Sequence, residues 1–213
     1  MSASVEATGP DDGVRYVIGV AGPVGGGKTT LVRELAGRFP GAACIYFDDY
    51  EQLTGQPIEK IKQWMISGGA TDELPVAGLA EDLRSLKAGA AIKPAGRYVF
   101  FETQFGRRHA ATGVHIDFLV WIDTPLDIAL ARKVRQMAVE SSAAGPDDPG
   151  VFSGWLQVYL GNYLDVVGYL LRIQRETVAT DADMVIDGTA DSASLVRQVE
   201  AGIEQRFGAG RRG

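Results

Sequence analysis

Tyr16-Val17-Ile18-Gly19-Val20-Ala21-Gly22-Pro23-Val24-Gly25-Gly26-Gly27-Lys28-Thr29-Thr30 joins an apolar run to a glycine-rich turn and a Lys-Thr-Thr start. Its centre matches G-x-x-x-x-G-K-[ST] in full. Glycines let successive backbone N–H groups turn inward around an anion, and a helix that follows adds the positive end of its dipole. Leu31, Val32, Leu35, Ala36 and Phe39 repeat at helical spacing, so Lys28 is expected to open an amphipathic helix. The stretch predicts a nucleoside triphosphate held by Gly22, Val24, Gly25, Gly26, Gly27, Lys28, Thr29 and Thr30. Lys28 would reach the β- and γ-phosphates and the Thr29 hydroxyl would ligate Mg²⁺. The plain alternative is a flexible glycine turn.

Working outward, five Val/Ile/Phe/Tyr-rich runs read as strands at about 15–21, 43–47, 97–102, 116–123 and 183–187. Most are continuously apolar, as parallel strands covered on both faces must be. Helical patterns fall between them at about 28–38, 57–67, 75–88, 125–139, 153–178 and 192–207. Strand then helix almost throughout predicts a doubly wound α/β sheet in one domain, about 14–207. Pro57 and Pro75 stand at first-turn positions, Gly68 and Gly89 as stops, and Thr124 with Asp127 as a capping box. Residues 1–13 and 208–213 read as tails, the former lacking the apolar segment of a signal peptide.

Composition sets limits. With 213 residues, 46% hydrophobic and 23% charged, the chain can bury its own core. A single cysteine, Cys44, leaves no internal disulfide, and a reducing cytoplasm is the expected compartment. No run is long enough for a membrane span, and a net charge of −6 disfavours nucleic acid as a partner. The expected partner is a small-molecule acceptor, with a homodimer left open. His109 and His115 lack the spacing of a zinc site. Trp64, Trp155, Tyr159 and Tyr163 sit at helical spacings and are expected in the core.

Ligands of an open parallel sheet bind beyond the carboxyl ends of its strands. Those ends carry Asp48-Asp49-Tyr50, Glu102-Thr103, Asp123-Thr124 and Asp187-Gly188-Thr189. Carboxylates beside a polyphosphate require Mg²⁺ between them, or a base acting on a hydroxyl. Asp48, the first polar residue after strand two, is the expected general base, with Asp49 able to exchange roles with it. Glu102 is expected to orient Mg²⁺-bound water or an acceptor hydroxyl, and Asp123 either to join them or to support the next helix. Arg132, Lys133 and Arg135 have no acidic residue three or four positions away, so Arg132 and Arg135, on one helix face, are expected over the transferring phosphoryl group. Their alternative is a solvated face. Arg107 and Arg108 could hold an anionic group of the acceptor.

Taken together, the Walker A loop, Phe47-Asp48-Asp49-Tyr50, Phe100-Phe101-Glu102 and Ile122-Asp123-Thr124-Pro125 followed by Arg132 resemble the P-loop nucleoside and nucleotide kinases. The resemblance is nearest to uridine kinase-like proteins and spans about residues 15–205. It implies a three-layer sandwich with a five-stranded parallel sheet in the order 2-3-1-4-5, helices on both faces, and ATP with Mg²⁺ as cofactors. It also implies an acceptor region at about 50–96, with Asp49, Tyr50 and Arg107 on the acceptor side, and a lid at about 132–152. Asp48 aligns with the base of the family's S-x-D-x-F-Y motif. Tyr46 replaces its Ser, and Glu102-Thr103 stands where the family has Glu-Gly. The chain lacks the N-K-x-D motif of a GTPase, its one asparagine being Asn162, and the segment after strand three lacks D-x-x-G. The expected activity is transfer of the γ-phosphoryl of Mg·ATP to a hydroxyl of a nucleoside, sugar or vitamin-like acceptor. A nucleotide-binding regulatory module and a kinase-like toxin acting on a sugar nucleotide are the competing readings.

Overall fold

Alternate residues of the central strands face opposite sides of one sheet, and each side is closed by its own helices. A computed structural model describes residues 15–51, 57–67, 70–74, 76, 78–89, 96–143 and 149–208. Strands β1 (Tyr16–Ala21), β2 (Ala43–Tyr46), β3 (Tyr98–Glu102), β4 (Phe118–Asp123) and β5 (Met184–Asp187) are all parallel. Their order is β2-β3-β1-β4-β5, as the resemblance implied. Ile18, Val20 and Phe100 pack toward helices α1 (Lys28–Arg38) and α8 (Ser192–Phe207). Val17, Val99 and Phe101 pack on the other side, with Leu79 and Leu83 of the helix Leu79–Lys87 and with Val178. The result is three layers, helix on sheet on helix.

The remaining helices are α2 (Ile58–Ile66), α3 (Leu79–Lys87), α4 (Ala110–Gly113), α5 (Leu126–Ala143), α6 (Pro149–Asn162) and α7 (Gly168–Val178). Three boundaries differ from expectation. Helix α3 opens at Leu79 behind a left-handed Gly78, not at Pro75, which lies outside the described residues, as does Gly68. Helix α5 runs on to Ala143, its last turns held by Gln136 donating to Glu140 at 2.8 Å and the Ser142 hydroxyl donating to the Ala138 carbonyl at 2.8 Å. Helix α6 starts at Pro149, a residue suited to a first helical position, and is joined to α7 by a π-helical turn, Tyr163–Val167. Gly89 does end α3 with φ 71°.

The expected lid is helical on either side of residues 144–148, which lie outside the described residues. So do 52–56 and 90–95 of the expected acceptor region, and both expected tails apart from Gly208. Trp121 is core at 1% exposure, but Trp155 and Tyr159 are half-buried on α6. They stack on one another, ring centroids 5.0 Å apart, because the apolar α6 offers them a face of its own. Among the described residues no helix is long and apolar enough to cross a membrane.

Candidate nucleotide and phosphoryl-transfer site

Register brings the carboxyl ends of all five strands to one edge: Val20 pairs with Glu102, Glu102 with Tyr46, and Asp123 with Asp187. The glycine-rich loop leaves β1 at this edge and folds back tightly, with Gly26 N–H donating to the Pro23 carbonyl at 2.9 Å. Two glycines are required by conformation. Gly25 has φ 77° and lies against α5 so closely that a Cβ would stand 2.1 Å from the Ala129 carbonyl oxygen. Gly27, at φ 100°, is the N-cap of α1, and a Cβ there would meet nothing within 4 Å. Helix α1 therefore starts without a side-chain cap and without an acid in its first turn. With no side chain capping them, its leading N–H groups form the kind of helix N-terminus that accepts an anion.

Lys28 follows at once and is only 8% exposed. Its ammonium donates to the Pro23 carbonyl at 3.2 Å and lies 4.0 Å from Glu102 Oε1. Burial pushes its pKa below the ordinary lysine range, against the pull of Glu102 and Asp48 and with the help of Lys133. Glu102, 7% exposed, is pushed above the ordinary carboxyl range by burial, opposed by Lys28 and by a hydrogen bond with Thr29. Both shifts have one cause: these charges are held out of water with no full counter-charge. A Mg²⁺-bound polyphosphate would fit these groups, Lys28 toward anionic oxygens and Thr29 with Glu102 as the residues that would hold the metal. Among the described residues no group of three or more His, Cys, Asp or Glu side chains is placed to hold a metal ion.

Beyond β2 the chain makes a single 3₁₀ turn, Phe47–Asp49. Phe47 is fully buried, edge-on to Phe105 and His109, and this apolar anchor fixes the turn so that Asp48 stands out from it. Asp48 is exposed, and its charge acts on both Lys28 and Glu102. Lys28, Thr29, Asp48 and Glu102 are therefore brought together. Asp49 is exposed on the same turn. The Tyr50 hydroxyl donates to Asp82 at 2.7 Å, and burial followed by that carboxylate pushes the phenol up to about 12. Tyr50 thus ties the turn to α3.

The remaining candidates are placed elsewhere. Arg107 donates to the Asp181 carbonyl at 2.9 Å and pairs with Asp183, while Arg108 donates to the Thr177 carbonyl at 3.3 Å. Arg107, expected on the acceptor side, is thus held at the entry to β5, and Arg108 at the last turn of α7. Arg132 donates to the Gly188 carbonyl at 2.8 Å, beyond β5, and Arg135 is exposed one turn on. The residue of that basic cluster over the loop is Lys133, whose Cβ would lie 3.2 Å from a Cβ on Gly25. Helical phase against the 25–27 turn could have selected it. Asp123 takes both branches of the Arg175 guanidinium, at 2.8 and 2.7 Å, and Asp187 accepts from Thr189 at 2.9 and 2.7 Å. Only two of the strand-end acids, Asp48 and Glu102, face the loop. The Thr124 hydroxyl, expected as a helix cap, donates to the Gly26 carbonyl at 3.2 Å and braces the loop from β4.

No family model and no curated protein matches this chain. Solved structures do. A protein assigned as a fructose transport system kinase from Silicibacter sp. TM1040 overlays with a TM-score of 0.54 at 16% identity, covering 84% of this chain and 93% of its own. Shikimate kinase from Acinetobacter baumannii overlays at 0.52 and 18% identity, covering 92% and 96%. A protein assigned as a uridine kinase from Bacillus stearothermophilus gives a looser overlay, 0.48 at 16% identity, covering 84% and 92%. The fold is that of the P-loop kinases.

Proposed function

We propose that this chain is a phosphotransferase that moves the γ-phosphoryl group of Mg·ATP onto a hydroxyl of a small molecule, a nucleoside, sugar or vitamin-like alcohol. The observation that carries this reading is the juxtaposition of Asp48 with Lys28 and Glu102 across the edge of the glycine-rich loop. A nucleotide-binding module without an acceptor needs no base at that place.

In this reading the first N–H groups of α1 and the Lys28 ammonium hold the β- and γ-phosphates, while Thr29 and Glu102 hold Mg²⁺. A metal held by Thr29 and Glu102 would supply charge to offset what spreads over the phosphate oxygens in transfer. Lys133 adds a positive charge over the loop. Asp48 receives the acceptor proton as the acceptor oxygen bonds to the γ-phosphorus. The bond from that phosphorus to the β,γ-bridging oxygen breaks, and its electron pair leaves with ADP. Uridine kinase-like specificity is the finer form of the proposal and rests on the motif at 47–50.

The test is ADP release from Mg·ATP with uridine, D-fructose, shikimate and pantothenate offered in turn. Acceptor-dependent release that falls roughly 100-fold or more in Asp48→Asn supports the reading. Absence of acceptor-dependent release from folded protein across that panel and a wider set of alcohols overturns it.

A further inference from the structure

We propose that Gln104 is a positioning residue for the base: its side-chain amide holds one oxygen of Asp48 and leaves the other to the acceptor hydroxyl, with Gln174 of α7 fixing Gln104 from behind. The proposal rests on the phosphotransferase reading above and adds to it a residue that no motif marks.

Gln104 stands two residues beyond β3 and reaches across to the turn after β2. Its Nε2 donates to Asp48 Oδ1 at 2.7 Å, a short contact to a charged acceptor. Because an ionised carboxylate only accepts, the amide must present its NH₂ there, so its orientation is set by the partner. The backbone around it is fixed in two ways. The Thr103 hydroxyl accepts from the N–H groups of Phe105 and Gly106, each at 3.2 Å, which turns the chain directly after Gln104. Gln174 Nε2 donates to the Gln104 carbonyl, a contact that sets the second amide by the same logic. The other end of that amide, Gln174 Oε1, is buried and accepts no hydrogen bond from the described residues. A buried acceptor left unpaired is costly, and here it accompanies the contact that fixes Gln104. Arg175, the next residue, grips Asp123 with both branches, so α7 is itself clamped to the tip of β4.

Asp48 needs such a hold. The charges that interact with it are Lys28 from α1 and Glu102 from β3. Lys28 attracts the carboxylate toward the loop, and a base drawn onto the ammonium would lose its reach to the acceptor. The Gln104 amide gives the carboxylate a second hold, at 2.7 Å, from the turn beyond β3.

The probe is Mg·ATP with water as the only acceptor, followed as phosphate release, and then the same reaction with uridine, D-fructose and pantothenate added. Gln104→Ala is expected to lower kcat roughly 10-fold or more with an unchanged KM for Mg·ATP. Gln104→Met, which keeps the bulk and removes the donor, is expected to do the same at an unchanged melting temperature. In the Asp48→Asn background Gln104→Ala is expected to add no further loss, because the group it positions is gone. Full kcat in Gln104→Met, or a loss that adds undiminished to that of Asp48→Asn, overturns the positioning role while leaving the phosphotransferase reading intact. Full kcat in Asp48→Asn itself overturns Asp48 as the base and the positioning role with it, whereas absence of acceptor-dependent release by wild type overturns the phosphotransferase reading.

Discussion

Lys28, Glu102 and Asp48 show what the site demands of single residues: charges that water would stabilise are instead gathered at the mouth of a loop. The shifts on Lys28 and Glu102 both disfavour the charged form, and the proposed polyphosphate would relieve the first while its Mg²⁺ would relieve the second. Gly25 is the residue on which the loop's shape depends most. Gly25→Ala meets both an unfavourable φ and the Ala129 carbonyl, and should destabilise the fold by at least about 1–3 kcal/mol. Denaturant unfolding at fixed pH checks this, and an unchanged midpoint would contradict it. At this scale the sequence was legible wherever a residue acts beside its chain neighbours. The nearness of Lys28, Thr29 and Asp48 to one another follows directly from a loop and a buried strand. The partners of Arg107 and Arg132, Asp183 and Gly188, do not, because spacing along the chain is silent about partners so far away. Gln104 was invisible for the same reason.

The elements divide into those that build the cradle and those that brace it. Helix α1 supplies N–H groups and Lys28, α5 lies on Gly25 and brings Lys133, and α7 braces two strand tips through Gln174 and Arg175. The Arg175–Asp123 pair has bidentate geometry, but its Arg side chain is 60% exposed, so screening by water reduces its worth to roughly 0.5–1 kcal/mol. Hydrogen bonding from Arg175 holds the Asp123 carboxyl below the usual carboxylate range. A depressed folded pKa contributes stability above the ordinary value and loses it as pH falls through the folded one. Arg175→Ala should therefore be less stable than wild type at neutral pH, and the gap should close in acid. Thermal melts at both ends check it, and a gap that widens in acid would contradict it. Element types were legible from periodicity, but ends were not. The extension of α5 depends on side-chain bonds at its last turns, and the π turn between α6 and α7 leaves no signal in an apolar helical run.

At the scale of the whole molecule, one parallel sheet between two helical layers places every strand end on a single edge, and the site is a property of that edge. Continuous apolar strands alternating with helices made the layering legible, whereas the order 2-3-1-4-5 followed from the resemblance and not from periodicity. Phe100 lies fully buried on β3, between β1 and β2. Phe100→Ala should cost about 3–5 kcal/mol, a large part of the roughly 5–15 kcal/mol that stabilises a domain. Chemical denaturation checks this, and a loss below about 1 kcal/mol would contradict the layered core.

The central claim is that the glycine-rich loop and Lys28 hold the nucleotide while Asp48 serves the acceptor. Calorimetric titration of a non-hydrolysable Mg·ATP analogue into wild type, Asp48→Asn and Lys28→Ala separates these roles most directly. Equal one-site binding by wild type and Asp48→Asn, with affinity weakened roughly 100-fold in Lys28→Ala, is the predicted result. No binding by folded wild-type protein, or a loss in Asp48→Asn as large as that in Lys28→Ala, would contradict it.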